Sequence, residues 1–267
     1  MPTAERALLH RGGRRGTWGN LGLWRDAEED YAGACAALAR AVADAAGLRP
    51  GDAVLDIACG AGDELLLWLD GYGAAEVVGV ERDAQLAQAA RRRVGSRATI
   101  AQASALGPAA FGDARFDRVL CVDAAYHLSP RSAFLQAAWR ALKPGGTLAY
   151  TDLSLQRASP LLLAAAGLCG LAPQDLLSAP AQLRRLHEHG FVDARLQPLD
   201  DAVLGGFARF VQGQGARVAR TALHRDWRRP ALTARLIGPC RSAGLGYVLL
   251  AATRGEGEAA AMARATA

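Results

Sequence analysis

A chain of 267 residues can bury one good core and is short for two full domains. At 51% hydrophobic and 21% charged residues it has the composition of an ordinary globular protein, which argues against a disordered or fibrous chain. Its net charge of +5 is densest at residues 10–15, 91–93 and 224–229, on no single face, so a solvated surface is expected and nucleic acid is disfavoured as a partner.

Residues 1–16 are rich in Arg and Gly without periodicity, and no apolar run with a small-residue cleavage site follows, so no secretory signal is expected. Residues 1–25 are read as an N-terminal arm or lid ahead of one domain, 26–267. From Tyr31, apolar or small residues recur at Ala34, Cys35, Leu38, Val42 and Ala45, a helical spacing that stops at Gly47 and the turn 49–52. Beyond it strands are expected at 53–57, 76–80, 98–102 and 116–122, with helices at 63–69, 84–94 and 131–142 between or after them. Strands separated by helices of this length imply parallel βαβ units.

Pro144-Gly145-Gly146 reads as a break before a fifth strand at 147–152. The rhythm then lapses, and cap insertions are expected at about 153–180 and 200–243, the second with helical segments at 201–212 and 230–243. A helix at 182–189, strands at 192–196 and 247–252, and a loose tail from Arg254 complete the reading. The fold class is therefore α/β: a doubly wound, mostly parallel seven-stranded Rossmann-like sheet with a helical cap. The longest apolar stretch, 161–172, is too short to span a bilayer, so no membrane span is expected. Five scattered cysteines with no C-x-x-C pair fit a reducing cytoplasm.

The stretch V-L-D-I-A-C-G-A-G-D at 54–63 sets a buried strand before a glycine-containing turn and a helix, an arrangement that lets backbone approach a nucleoside closely. Glu81 closes the next strand, where a carboxylate can accept hydrogen bonds from both hydroxyls of a ribose. This pattern resembles D-x-G-x-G-x-G of the class I S-adenosylmethionine-dependent methyltransferases. Asp56, Gly60 and Gly62 match it, and Ala58 stands where the first glycine is usual. A nicotinamide dehydrogenase would need Gly or Ala at Leu65 instead.

The resemblance extends over roughly 18–152. Gln102-Ala103-Ser104-Ala105 occupies the place of the family's G-D-A, with Ser104 in the acid's position; a plain turn cap is its alternative role. Cys121-Val122-Asp123-Ala124-Ala125-Tyr126-His127 is similar to the D-x-A-Y-H stretch that small-molecule methyltransferases place beside the transferable methyl. Trp18-Gly19-Asn20-Leu21-Gly22-Leu23-Trp24 resembles the N-L-G-x-W segment of macrolide-sugar, sterol and phosphoethanolamine-type enzymes, where it folds over the cofactor; core packing is the other reading of the tryptophans.

The resemblance implies S-adenosyl-L-methionine as cofactor, held by Trp18, Asn20, Trp24, Asp56, Ala58, Cys59, Gly60, Gly62, Glu81, Arg82, Ala103, Ser104, Ala105 and Cys121. It implies methyl transfer to O, N or C of a small, partly apolar metabolite, with His127 as candidate base and Tyr126 orienting the acceptor. A lone histidine can equally be structural. His187 and His189 lack a third partner, so no metal site is expected. A homodimer is compatible with the sequence. The alternatives are an RNA methyltransferase and a cofactor-binding subunit without chemistry of its own.

Overall fold

The computed structural model describes residues 17–25, 30–106, 112–157, 159–168, 170–218 and 228–256. The expectations for residues 1–16 and for the end of the tail lie outside them. Helix α1 (Tyr31–Ala46) starts where the Asp30 side chain accepts the Gly33 N–H at 2.6 Å and ends at Gly47, whose φ of 63° is left-handed. Its buried face (Ala34, Cys35, Leu38, Val42) lies on the sheet.

Strand β1 (Ala53–Ile57) leads into the short helix α2 (Asp63–Leu66), which widens into a π turn at Leu67–Gly71. There follow β2 (Glu76–Glu81), α3 (Ala84–Val94), β3 (Thr99–Gln102), β4 (Phe116–Cys121), α4 (Arg131–Ala141) and β5 (Leu142–Leu155). The second half holds α5 (Pro160–Leu168), α6 (Ala179–Glu188), β6 (Phe191–Pro198), α7 (Gly206–Val218), α8 (Arg228–Ser242) and β7 (Leu245–Arg254).

The seven strands order as β3-β2-β1-β4-β5-β7-β6. The pairs β1 to β2, β1 to β4, β2 to β3 and β4 to β5 are parallel, and β7 runs antiparallel to both of its neighbours. Alternation along each strand divides the apolar residues between two layers. In β7, Tyr247 and Leu249 join the layer of α1, α2 and α3, while Val248 and Leu250 join that of Phe134 and Trp139.

Two expectations at strand ends need correction. The fifth strand begins at Leu142, not Thr147: its pairing with β4 jumps from Phe116↔Leu142 to Arg118↔Thr147, so the Pro-Gly-Gly turn is a bulge carried inside the strand, with Gly145 at φ 76°. Arg254 belongs to β7, not to a tail. It is 7% exposed, its guanidinium lies 3.8 Å over the Trp139 ring, and it donates to the Leu142 carbonyl. No helix among the described residues is long and apolar enough to cross a membrane.

Strand order reverses between β1 and β4, and at such a switch point the loops leaving the carboxyl ends of neighbouring strands part to open a crevice.

Candidate active site

A cavity of about 1100 Å³ occupies that crevice, walled by the loops after β1, β2, β3 and β4, by residues 17–21, and by the helical segments that follow β5 and β6. The loop after β1 is shaped by three left-handed residues: Ala58 (φ 65°), Gly60 (φ 56°) and Gly62 (φ 85°). A side chain on Gly62 would meet the Ala90 backbone at 3.1 Å, so Gly62 serves the packing of the loop on α3 and stands behind the cavity wall. Ala58 holds the same backbone region with a methyl group attached, at a cost of about 1–3 kcal/mol that a glycine would avoid.

Glu81, the last residue of β2, ties this loop to the next. Its Oε2 accepts the Gly60 N–H at 3.1 Å and its Oε1 the Asp83 N–H at 2.8 Å, and the carboxylate remains on the cavity wall beside Arg82, Asp83 and Leu86. Further along the same wall, Ser104 accepts the Leu106 N–H at 3.3 Å, between Ala103 and Ala105. Cys59 and Gly60 are on the wall as well.

Asp56 is fully buried beneath the loop. Trp68 Nε1 donates to its Oδ2 at 2.7 Å, its Oδ1 has no partner, and burial pushes its carboxyl up to about 7 despite the indole bond. Cys121, at the end of β4, is also buried away from the cavity, and burial raises its thiol well above the usual range.

Residues 17–24 cross over this region. Thr17 bonds to Asp63 through N–H (3.2 Å) and Oγ1 (2.5 Å), and Arg93 reaches both Asp63 (2.6 Å) and Thr17 (2.8 Å). Asn20 donates to the Cys35 carbonyl and to Glu64, each at 3.3 Å, and its Oδ1 accepts the Gly22 N–H. Trp18 and Asn20 face the cavity. Trp24 does not: it stacks on Phe210 with centroids 4.7 Å apart and donates to the Leu21 carbonyl, anchoring the segment.

The loop after β4 turns at Asp123, which has a left-handed φ of 52° and donates its N–H to Thr151 Oγ1 at 2.7 Å. Its Oδ1 accepts the hydroxyls of Tyr126 (2.9 Å) and Tyr247 (2.7 Å), and its Oδ2 the N–H of Leu21 (2.7 Å). Burial pushes this carboxyl up to about 6, with the two tyrosine hydroxyls acting in the opposite direction. Asp123 lines the cavity and joins the 17–24 segment, the loop and β7 at one point. Asp123 falls inside the D-A-A-Y-H stretch, but two of its carboxylate's three partners lie 102 and 124 positions away, so its linking role is not legible in the sequence.

Tyr126 and His127 stand together on a 3-10 turn (Ala125–His127), their rings 4.4 Å apart. His127 is exposed at the cavity's edge. Partial desolvation, aided by the charges of Arg82 and Arg131, holds its imidazole below the ordinary histidine value. The opposite wall is apolar, with Leu162, Ala166, Leu176, Phe207, Leu236 and Ile237. Glu64 also reaches the cavity, a buried carboxylate that the sequence reading passed over. The cavity thus holds Asp63, Glu64, Glu81, Asp83 and Asp123 near its glycine loop, an acidic set suited to a nucleoside cofactor that carries positive charge, although burial raises the Glu64 carboxyl well above its ordinary range. Among the described residues no cluster of His, Cys, Asp and Glu could hold a metal ion.

Comparison with known proteins adds to this geometry. Residues 54–146 match the family model described as "Methyltransferase domain". The chain is 33% identical over 215 residues to erythromycin 3''-O-methyltransferase of Saccharopolyspora erythraea, covering 73% of this chain and 68% of that one. It is 28% identical over 179 residues to O-methyltransferase resE of Aspergillus sclerotiorum, covering 64% and 67%. Among solved structures, one described as a sarcosine dimethylglycine methyltransferase from Galdieria sulphuraria shares its fold. The TM-score is 0.79 at 17% identity, over 96% of this chain and 99% of that one.

Proposed function

This chain belongs to the class I S-adenosylmethionine-dependent methyltransferases, and from that premise we propose that it methylates a hydroxyl oxygen of a small, partly apolar metabolite, with Tyr126 and His127 at the point of transfer. One observation carries the reading: a single cavity has an acidic, glycine-loop end and an apolar end, and the loop bearing Tyr126 and His127 leaves β4, the strand between β1 and β5. The choice of oxygen is supported by the two curated relatives, both named as O-methyltransferases.

S-adenosylmethionine supplies a methyl group carried on a positively charged sulfur. Glu81 would accept from its ribose hydroxyls, Ser104 would meet its adenine, and the backbone of residues 58–60 would allow the close approach. The surrounding carboxylates suit its positive charge. The apolar wall binds the acceptor's scaffold and excludes water. Tyr126, its hydroxyl directed by Asp123, orients the acceptor, and a nitrogen of the His127 imidazole takes the hydroxyl proton. His127 is suited to this because its lowered pKa keeps it neutral at pH 7. Positioning alone can contribute about 7–11 kcal/mol to such a transfer.

We place the enzyme in a reducing compartment, supported by the free, buried thiols of Cys35, Cys59 and Cys121. The test is to supply purified protein with methyl-labelled S-adenosylmethionine and acceptors carrying a free hydroxyl on an apolar scaffold, an erythromycin-type macrolide among them. Label is expected on oxygen, and His127→Ala is expected to cut turnover by about a hundredfold or more with cofactor affinity nearly unchanged. Label reaching only amines would overturn the hydroxyl assignment, and undiminished turnover in His127→Ala would overturn the base.

A further inference from the structure

Behind the reactive loop lies a charged group whose hydrogen bonds the chemistry above does not use. Arg131, the first residue of α4, has a side chain only 4% exposed. Its Nε and Nη2 each lie 3.0 Å from an oxygen of Asp152, which is itself 3% exposed. The remaining nitrogen, Nη1, donates to the carbonyl of Leu128 at 2.7 Å and to the carbonyl of Ala125. Those two carbonyls bracket Tyr126 and His127. The backbone N–H of Arg131 donates to Asp175 at 3.0 Å, and Asp175 is paired with Arg185 of α6 at 2.7 Å. One guanidinium therefore joins the loop that carries the proposed base to the carboxyl-terminal half of β5, and its backbone joins the same point to the cap.

A buried ion pair is seldom a net gain in stability over well-packed apolar side chains, because desolvation consumes most of the attraction. What the pair provides here is direction. Asp152 accepts one hydrogen bond, from Nη2, and pairs in charge with Nε, which holds the guanidinium in place, while Nη1 of the same planar group donates to two carbonyls. A lysine would keep the charge but could not span a carboxylate and two carbonyls with set geometry.

We propose that Arg131, held by Asp152, is a positioning residue that locks residues 125–128 and thereby sets where the His127 and Tyr126 rings stand in the cavity. The role assigned to His127 rests on the function proposed above; the locking of the loop does not.

The experiment uses the full chain saturated with S-adenosylhomocysteine, so it needs no acceptor. Hydrogen exchange is followed by mass spectrometry in peptides covering 123–131 and, as a control, β7, and the His127 ring resonance is followed in a histidine-labelled sample. Arg131→Lys is expected to bind S-adenosylhomocysteine within about twofold of the parent. Its 123–131 amides should exchange about tenfold or more faster, its β7 amides should be unchanged, and its His127 resonance should move or broaden. Asp152→Asn keeps the shape and an acceptor oxygen but loses the charge, and should shift the same two readouts in the same direction by less. It carries the test if Arg131→Lys fails to fold. Parent-like exchange and an unmoved His127 resonance in a folded variant would overturn the proposal. Faster exchange in every peptide would overturn it as well, by making the pair a general stabiliser. The His127→Ala turnover assay judges the base separately, so the two ideas can fail independently.

Discussion

Single residues in this cavity have partners that define what they can do. Glu81 holds two backbone N–H groups, from loops after different strands, and still presents its carboxylate to the cavity. Removing it would both release Gly60 and delete the proposed acceptor for a ribose diol. Charged hydrogen bonds of this kind are worth about 1.5–3 kcal/mol each. Glu81→Ala is therefore expected to weaken S-adenosylhomocysteine binding roughly a hundredfold, and Glu81→Gln by less. Calorimetric titration measures both, and unchanged affinity in Glu81→Ala would remove the ribose role. Asp56 matches the same sequence pattern yet is bonded to Trp68 beneath the loop, where it can support the backbone but does not reach the cavity wall. The sequence showed the matching residues at 56–62 and 81 but could not separate those that face the cavity from those that carry the loop.

The segment 17–24 has no regular hydrogen-bonded structure of its own and is held entirely by tertiary bonds. Thr17 is fastened at Asp63 and Arg93, Asn20 at Glu64 and the end of a carbonyl of α1, Leu21 at Asp123, and Trp24 by stacking on Phe210. The segment's leading residues, 17–19, can open by breaking a few side-chain bonds, whereas Asn20, Leu23 and Trp24 are buried and the backbone N–H groups of Leu23 and Trp24 bond to Ala34 and Ala202. Asp63→Ala removes the fastening nearest the glycine loop. It is expected to speed release of S-adenosylhomocysteine about tenfold, measured by stopped flow, while the melting temperature falls by only a few degrees. Release at the parent rate would mean that this segment does not limit cofactor exit. The N-L-G-L-W pattern marked this segment in the sequence. The distribution of labour between its two tryptophans, one facing the cavity and one stacked in the core, depended on where Phe210 packs.

Among the described residues, four carboxyls are held above their ordinary range: Asp56 to about 7, Asp123 and Asp152 to about 6, and Glu64 well above the usual carboxylate value, in each case with burial as the first cause. The folded protein therefore binds these protons more tightly than the unfolded chain does. The stability they contribute is fully present below the unfolded value of about 4 and is lost as pH rises through 6 to 7. The lowered pKa of His127 acts in the opposite sense but belongs to an exposed ring. The melting temperature is expected to be higher at pH 5.5 than at pH 8 by about 5 °C. A higher value at pH 8 in a thermal melt would show that partner bonds, not desolvation, govern these groups.

The parallel βαβ core, the place of the glycine loop and Glu81, and the D-A-A-Y-H loop are legible in the order of the residues. These are local signals: a period of two or of 3.6, a turn residue, an acid at a strand end. Tertiary structure alone decided that Asp123 gathers Leu21, Tyr126 and Tyr247, that Asp56 and Cys121 lie behind the wall, and that Arg131 grips the reactive loop. It also turned the expected Pro-Gly-Gly break into a bulge and drew Arg254 out of the tail onto Trp139. The reason is the same in each case. A buried polar group must find a partner when it leaves water, and the partner is whatever the fold brings within 3 Å, which separation along the chain does not reveal.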